Sequence, residues 1–507
     1  MVPNIQNTSD LYSNFSSPDK FDDNDPDLML NTPVSKYFST SELNDALDKA
    51  NPSSLTSVHC NIRSLPKNLT LIHDLLDSLH KFPDIIAITE TKLNSETITN
   101  IDINNYNFFH VDSPTQAGGA GLYINNNLKV SPRPDIKFVL SQVESCWAEI
   151  DCGIPNKPNI LVGCIYRHPS EDLSLFTSEF ESIISNISQE NMPIHLMGDF
   201  NIDLIKYGQH KLTEEYLDMI FSYNLLPIIT KPTRITHHTS TLIDHIYVNS
   251  TPDNITAGII VTDISDHLPV FCITDFEIKK QNKHFYIRDY KHFVKDEYLK
   301  DLQSIPWDDI IHSNNNLNEK TAELVNAISQ VVNKHAPLKI ASNRQMKQMS
   351  KPWLTKGLLK PIKTKQKLYH SHFLSNNAEN VLYFKKFSNL VNHLKNKAKR
   401  EYYCKYFEKY KSNLKNTWKL IGSLVKRKTK SQIQPTKLIR NGSEFTSEKE
   451  IAEQFNQHFI NVGSSLANLL QVTNDDPTKF INNIPNSNFS MEPVSETEVK
   501  SLFDQLW

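Results

Sequence analysis

The stretch "HLMGDFNID", His195 to Asp203, carries an apolar run into an acid, an aromatic, an amide and a second acid. Side chains of an extended strand alternate between faces. The pattern therefore predicts Asp199 and Asn201 pointing one way and Phe200 turned into the core. An acid and an amide on one face of a strand end can hold a water between them, the acid taking its proton and the amide fixing its orientation. Gly198 leaves room for something to approach the backbone. The same residues also suit an Asx-type turn closing a hairpin. Asp203 shares the parity of the pair but is expected past the strand end, outside any site.

Other apolar runs end in the same manner. "DIIAITETKL" delivers Glu90, a carboxylate placed for a hard cation. Mg²⁺ prefers oxygen ligands and keeps several waters, so one or two carboxylates suffice. "VHCNIRSL" ends on Asn61, and "GCIYRHP" on Tyr166, Arg167 and His168, a phenol and a guanidinium for a phosphate. "TLIDHIYVN" sets Asp244 inside an apolar strand, where an unpaired carboxylate is costly. "DISDHLPVFCI" places Ser265, Asp266 and His267 just before another. A buried Asp and a His from different strands suit an orienting pair, the acid holding the imidazole and favouring its charged form. Taken singly, Glu90 reads as a solvated strand end, Asp244 as a loop cap and His267 as a hydrogen-bonded turn residue. Taken together, they are the groups that metal-assisted phosphodiester hydrolysis needs.

The elements that must position them follow from the texture of the chain. From about Ser57 to Asp275, strand-length runs recur with turn residues near their ends: "TSVHCNI", "DIIAITE", "AGLYI", "SCWAEI", "ILVGCIY", "PIHLMGDFN", "LIDHIYV" and "LPVFCIT". Ile72, Leu75, Leu76 and Leu79 have the spacing of one buried helix face. The region reads as an α/β or α+β domain of roughly 220 residues. At 507 residues the chain exceeds one core, and two or three units are expected. Residues 1–50, rich in Ser, Asn, Asp and Pro, read as a mostly disordered leader.

After about Lys280, helical patterns rich in lysine take over. Tyr402, Tyr403, Tyr406, Phe407 and Tyr410 interleave with Lys399, Arg400, Lys405, Lys409 and Lys411. Such a helix either lies along a phosphate backbone or is a solvated helix whose aromatics pack on a neighbour. Ser447 with Glu450, and Ser495 with Glu498, form boxes that start two further helices, the last carrying Val499, Leu502, Phe503 and Leu506. The net charge of -3 hides this asymmetry. The six cysteines show neither C-x-x-C nor zinc-finger spacing, which favours a reducing compartment. No secretory signal and no membrane-length apolar run is visible.

The ordered series of Asn61, "TET" with Glu90, "YR" with Tyr166, "GDFN", "IDHI" and "SDH" resembles the endonuclease/exonuclease/phosphatase superfamily. "HCNIRSL", "AGGAGLYI", "YRHPS", "GDFNIDL" and "SDHLPV" look like the endonuclease domain of non-long-terminal-repeat (LINE-type) retrotransposons. The resemblance implies a four-layered α/β sandwich, deoxyribonuclease I-like, over residues 51–278. A Lys-rich helical connector over 279–430 would follow, then at 431–507 the segment just upstream of a reverse transcriptase. No polymerase metal motif follows, so the chain is expected to be the front half of such an element or a gene model that ends early.

The resemblance assigns Glu90 as main metal ligand, assisted by Asn61, with Asp266 supporting the metal or phosphate region. Asp199 would activate the attacking water and Asn201 orient it. Tyr166 would contact the scissile phosphate, and Asp244 would pair with a charge-stabilising His267. Either Asp199 or His267 remains open as general base. Mg²⁺, with Mn²⁺ as substitute, is the expected cofactor. Double-stranded DNA is the expected partner, with element RNA on the Lys-rich helices, no membrane, and the nucleus as site of action. A lipid or sugar phosphatase of the same superfamily, or an idle nucleic-acid-binding remnant, is the alternative. Arg63 stands where abasic-site enzymes usually carry an aspartate, and His168 interrupts a "YRPP"-like pattern.

Overall fold

A computed structural model describes residues 35–469, apart from 95–99, 114–116, 237, 250–254, 282–285, 313–315, 343–344, 346–350, 376–377, 425–437 and 441, and also residues 495 and 497. In chain order the first elements are β1 (Lys36–Phe38), α1 (Thr40–Lys49), β2 (Leu55–Asn61), α2 (Leu65–Ser78), β3 (Ile85–Thr89), β4 (Tyr106–Val111), β5 (Ala120–Asn125), β6 (Lys129–Pro132), β7 (Val143–Asp151) and β8 (Ile160–Arg167). Then come α3 (Leu173–Ser188), β9 (Ile194–Asp199), α4 (Lys211–Ser222), β10 (Leu226–Pro227), β11 (Arg234–Ile235), β12 (Ser240–Thr241), β13 (Asp244–Val248), β14 (Ile255–Ile260) and β15 (Val270–Thr274). Each of the eight apolar runs in the sequence falls on a strand.

These strands make a seven-stranded sheet, ordered β1-β14-β15-β2-β3-β5-β4, and a six-stranded sheet, ordered β10-β13-β9-β8-β7-β6. Most neighbours are antiparallel; β2 with β3, β8 with β9 and β1 with β14 are parallel. Alternation along the strands explains the layering. On β2, Val58 and Cys60 join the apolar cluster of α1 and α2, whereas Leu55 joins the cluster shared with the second sheet. Ser57 Oγ, on that same inner face, meets His195 Nε2 of β9 at 2.8 Å. Phe176 and Phe180 of α3 and Tyr216 of α4 seal the outer face of the second sheet. The result is the four-layered α/β sandwich, helix–sheet–sheet–helix.

Part of the expected leader is structured. β1 pairs with β14, and α1 starts at a Ser39–Glu42 capping box and buries Leu43 and Leu47. Its polar composition hid one short edge strand and a helix with a narrow apolar stripe. Residues 1–34 lie outside the described residues.

Beyond the sandwich come α5 (Lys295–Gln303), α6 (Trp307–His312), α7 (Leu317–His335), α8 (Lys356–Ser375), α9 (Ala378–Tyr410) and α10 (Leu414–Leu424), with a small antiparallel pair of Tyr286–Arg288 and Leu338–Ile340 that brackets α5 to α7. Residues 429–507 form a separate unit, in which a hairpin of Leu438–Arg440 and Ser443–Phe445 precedes α11 (Glu448–Leu469). The helix expected around Val499 to Leu506 lies outside the described residues. Among those described, no helix is long and apolar enough to cross a membrane.

Candidate active site

Four strands of the second sheet end in one transverse row. Cα register pairs Glu144 of β7 with Tyr166 of β8, Tyr166 with Asp199 of β9, and Asp199 with Asp244 of β13. Residues paired across strands share a face, and this row faces the first sheet. Asn61, the last residue of β2, answers it from there. Its Nδ2 donates to Glu90 Oε1 at 2.8 Å and to Asp199 Oδ2 at 2.7 Å, tying both sheets together. Its Oδ1 accepts the Arg63 N–H at 3.1 Å. Glu90 follows β3 in a left-handed conformation, φ +50°. A non-glycine residue is rarely held there, and the turn brings its carboxylate beside Asn61.

His267 precedes β15 and places Nδ1 2.9 Å from Asp244 Oδ2 and 3.8 Å from Asp199 Oδ2. Thr233 Oγ1 donates to the same Asp244 oxygen at 2.6 Å. Burial alone would depress the imidazole, but the charges of Asp244, Asp199 and Asp266 and the Asp244 hydrogen bond carry it up to about 9. Burial likewise opposes ionisation of Asp244, yet His267 holds it below the usual carboxylate range. Asp199 goes the other way: burial, then the charge of Asp244, pushes it up to about 7. Tyr166, 3% exposed, stays a phenol, raised by burial and then by Glu90, Asp199 and Glu144. His59 lies on the same inner face, Nδ1 3.7 Å from Asp244 Oδ1, and burial depresses it to about 4, so it remains neutral.

Asn201 reaches the site by a different route from the one its spacing suggests. β9 ends at Asp199, and Asn201 takes φ +49°, so strand parity does not place it. Its N–H donates to Asp199 Oδ1 at 3.1 Å, the Asx-type turn, while Nδ2 donates to the Arg167 carbonyl at 2.7 Å. Phe200 is fully buried, stacked on His245 at 5.1 Å and edge-on to Tyr247 at 5.5 Å. Asp266 is clamped: its Oδ2 accepts from Arg234 Nε and Nη2 at 3.1 and 3.0 Å, and Arg63 Nη1 lies 3.2 Å from Oδ1.

The structure thus gathers Asn61, Glu90, Tyr166, Asp199, Asn201, Asp244, Asp266 and His267 at one end of the sandwich. Sequence reasoning passed over Glu144, His59, Thr233 and Arg234. Glu144 stands just before the run "SCWAEI" and nothing in its local sequence sets it apart. Arg234 became visible through its bridge to His267.

Charge decides whether a divalent cation fits. Ligand atoms of Asp199, Asp244 and His267 lie within 4.8 Å of one another. His267 is committed to Asp244, however, so that trio is a charge chain rather than a cage. Glu90, Asp199 and Asp244 carry more negative charge than His267 balances, and a cation beside Glu90 would restore neutrality. Glu90 would hold it, with Asn61, whose side chain lies against the same carboxylate, beside it. The two arginines on Asp266 make it a poorer ligand.

Residues 58–267 match the profile of the endonuclease/exonuclease/phosphatase family. No curated protein matches the chain. Among solved structures, the chain is similar to the endonuclease domain of TRAS1, a telomere-specific non-LTR retrotransposon, at 12% identity, covering 44% of this chain and 99% of that one with a TM-score of 0.35. It is also similar to the AP endonuclease LMAP from Leishmania major, at 13% identity over 48% and 92% of the two chains, TM-score 0.37. The catalytic domain of human Nocturnin aligns at 14% identity over 44% and 93%, TM-score 0.34. The stretch that matches the endonuclease/exonuclease/phosphatase family model, residues 58–267, is the one that builds the two-sheet sandwich and its polar row.

Proposed function

We propose that the sandwich is a divalent-metal-dependent endonuclease that nicks one strand of duplex DNA, in the manner of a non-LTR retrotransposon endonuclease. Members of the family are nucleases and phosphatases that hydrolyse phosphate esters, generally with divalent metal ions. The observation that carries the reading is the row of Tyr166, Asp199 and Asp244 facing Asn61, Glu90 and His267. The choice of DNA rests on the motif resemblance and not on the geometry.

The division of labour follows from protonation. His267, held up at about 9 by Asp244, is an imidazolium at neutral pH and donates to the charge that develops on phosphorus-bound oxygen. It cannot also accept a proton, which leaves Asp199, near 7, as the base for the attacking water. The Asn201 amide N–H fixes the Asp199 carboxylate. Tyr166 keeps its proton and donates a hydrogen bond to a phosphate oxygen. Glu90 and Asn61 would hold the cation, which when bound would supply Lewis-acid polarisation of the phosphate.

The test is Mg²⁺-dependent nicking of supercoiled plasmid by the full chain, comparing wild type with Glu90→Ala and His267→Ala. Each substitution should cost at least ~100-fold in rate. Equal nicking by all three would show that the site is wrong. Phosphate release from a phosphoinositide without any nicking would move the reading to a phosphatase.

A further inference from the structure

Glu144 heads the transverse row beside Tyr166 and has no part in the chemistry above. It is 6% exposed. Its Oε1 accepts from Ser113 Oγ at 2.8 Å, and its Oε2 is buried without a hydrogen-bond partner among the described residues. Burial raises this carboxyl, and the Ser113 hydroxyl and the Gly119 amide oppose that shift. The carboxylate occupies the space left by a missing side chain: a Cβ on Gly118 would stand 2.6 Å from Oε1 and 2.7 Å from Oε2.

Gly118 and Gly119 are the backbone against which the Glu90 turn is built. Thr91 N donates to the Gly119 carbonyl at 3.3 Å and Lys92 N to the Gly118 carbonyl at 2.9 Å. Gly119 itself has φ +101°, and a Cβ there would lie 2.2 Å from Thr91 Oγ1. The next residue back from Thr91 is Glu90, at φ +50°. A carboxylate of the second sheet therefore leans on the segment of the first sheet that fixes Glu90.

We propose that Glu144 is a positioning residue for cation binding: packed on Gly118 and bonded to Ser113, it anchors the Gly118–Gly119 backbone and thereby sets Glu90 for a divalent ion. The inference rests on the reading of Glu90 as a cation ligand. It needs nothing of the nucleic-acid substrate. Residues that orient a ligand from behind typically change metal affinity by ~10–100-fold when lost.

The test measures Mn²⁺ binding to the full chain without DNA, by electron paramagnetic resonance of the free ion, with plasmid nicking scored in parallel. Glu144→Ala should weaken Mn²⁺ binding ~10–100-fold. Glu144→Gln keeps an oxygen for Ser113 and should bind close to wild type. Gly118→Ala, which pushes the carboxylate aside, should weaken binding as Glu144→Ala does, and it serves if Glu144→Ala does not fold. Unchanged affinity in Glu144→Ala or Gly118→Ala overturns the inference. So does a Gln variant as weak as Ala, because charge and not anchoring would then be at work, and so does a wild type that binds no Mn²⁺. A chain that binds Mn²⁺ but never nicks overturns the proposed function and leaves this inference standing.

Discussion

His267 owes its charge to its neighbours. Burial disfavours an imidazolium, and only the Asp244 carboxylate at 2.9 Å, helped by Asp199 and Asp266, brings the folded value up to about 9. A raised histidine contributes stability that is fully present below its unfolded value of about 6.5 and is lost as pH climbs through the folded value. For His267 that window runs from about 6.5 to about 9. If the imidazolium stabilises the transition state, nicking falls off on the alkaline side near pH 9. Asp244→Asn removes the charge that holds the proton, so the alkaline limb moves toward neutrality. A pH–rate profile of the two chains checks this; an identical limb in both would detach His267 from Asp244. At this scale the sequence was informative about residue types and silent about partners. An acid inside "TLIDHIYVN" demanded a counter-charge, and His267 supplies it. Glu144 in "SQVESCW" made no such demand, because its company on Ser113 and Gly118 comes from a distant part of the chain.

Elements place these groups through register. The strands read from the sequence carry the inner-face row because each shows its polar terminus at the same end of the sheet. Short or weakly patterned strands, such as β1 and β4, were passed over. They pair with β14 and β5, and their aromatics, Tyr37, Phe38, Phe108 and Phe109, pack against the apolar clusters. Asn201 shows the limit of alternation: one left-handed residue beyond the strand end cancels the parity argument while leaving the group beside Asp199. Gly198 shows what the alternation reading can find. What approaches its backbone is the neighbouring strand, since a Cβ there would stand 1.9 Å from the Ile165 carbonyl oxygen and 2.9 Å from its carbon. Backbone atoms of a paired strand cannot swing aside. Gly198→Ala should therefore force β8 and β9 apart, costing about 1–3 kcal/mol or more and displacing Asp199, the next residue. Denaturant unfolding read beside nicking should show both losses. A variant with wild-type stability would mean that the sheet has slack where the structure shows none.

On the scale of the whole molecule, the lysine-rich helical region makes ion pairs with the sandwich. Part of that lysine faces acids of the sandwich. Lys395 of α9 meets Asp74 of α2, Lys351 meets Asp77, and Lys365 of α8 meets Asp263 at 3.0 Å. Tyr402 and Tyr403 pack on Trp353, with Lys399 over its ring at 5.5 Å. These aromatics are partnered, as in the packing reading of that helix, and the three paired lysines are not free for a phosphate backbone. A charge count along a sequence cannot see this, because neutralisation comes from helix α2 and the loop after β14. The contact with Asp263 matters most, since that loop continues into Asp266 and His267. Lys365 has a side chain only 1% exposed, so removing its partner strands a buried charge. Breaking a buried pair from one side costs about 3–5 kcal/mol, whereas replacing both members by neutral side chains of similar size is often harmless. Asp263→Asn alone should therefore lower thermal stability sharply, and adding Lys365→Met should restore most of it. Melting temperatures of the four chains of this cycle give the coupling directly. Additive effects would mean that α8 does not hold the loop through this pair. Strong coupling accompanied by recovered nicking in the double variant would show that the helical region steadies the loop bearing His267 by its seating and not by its charge.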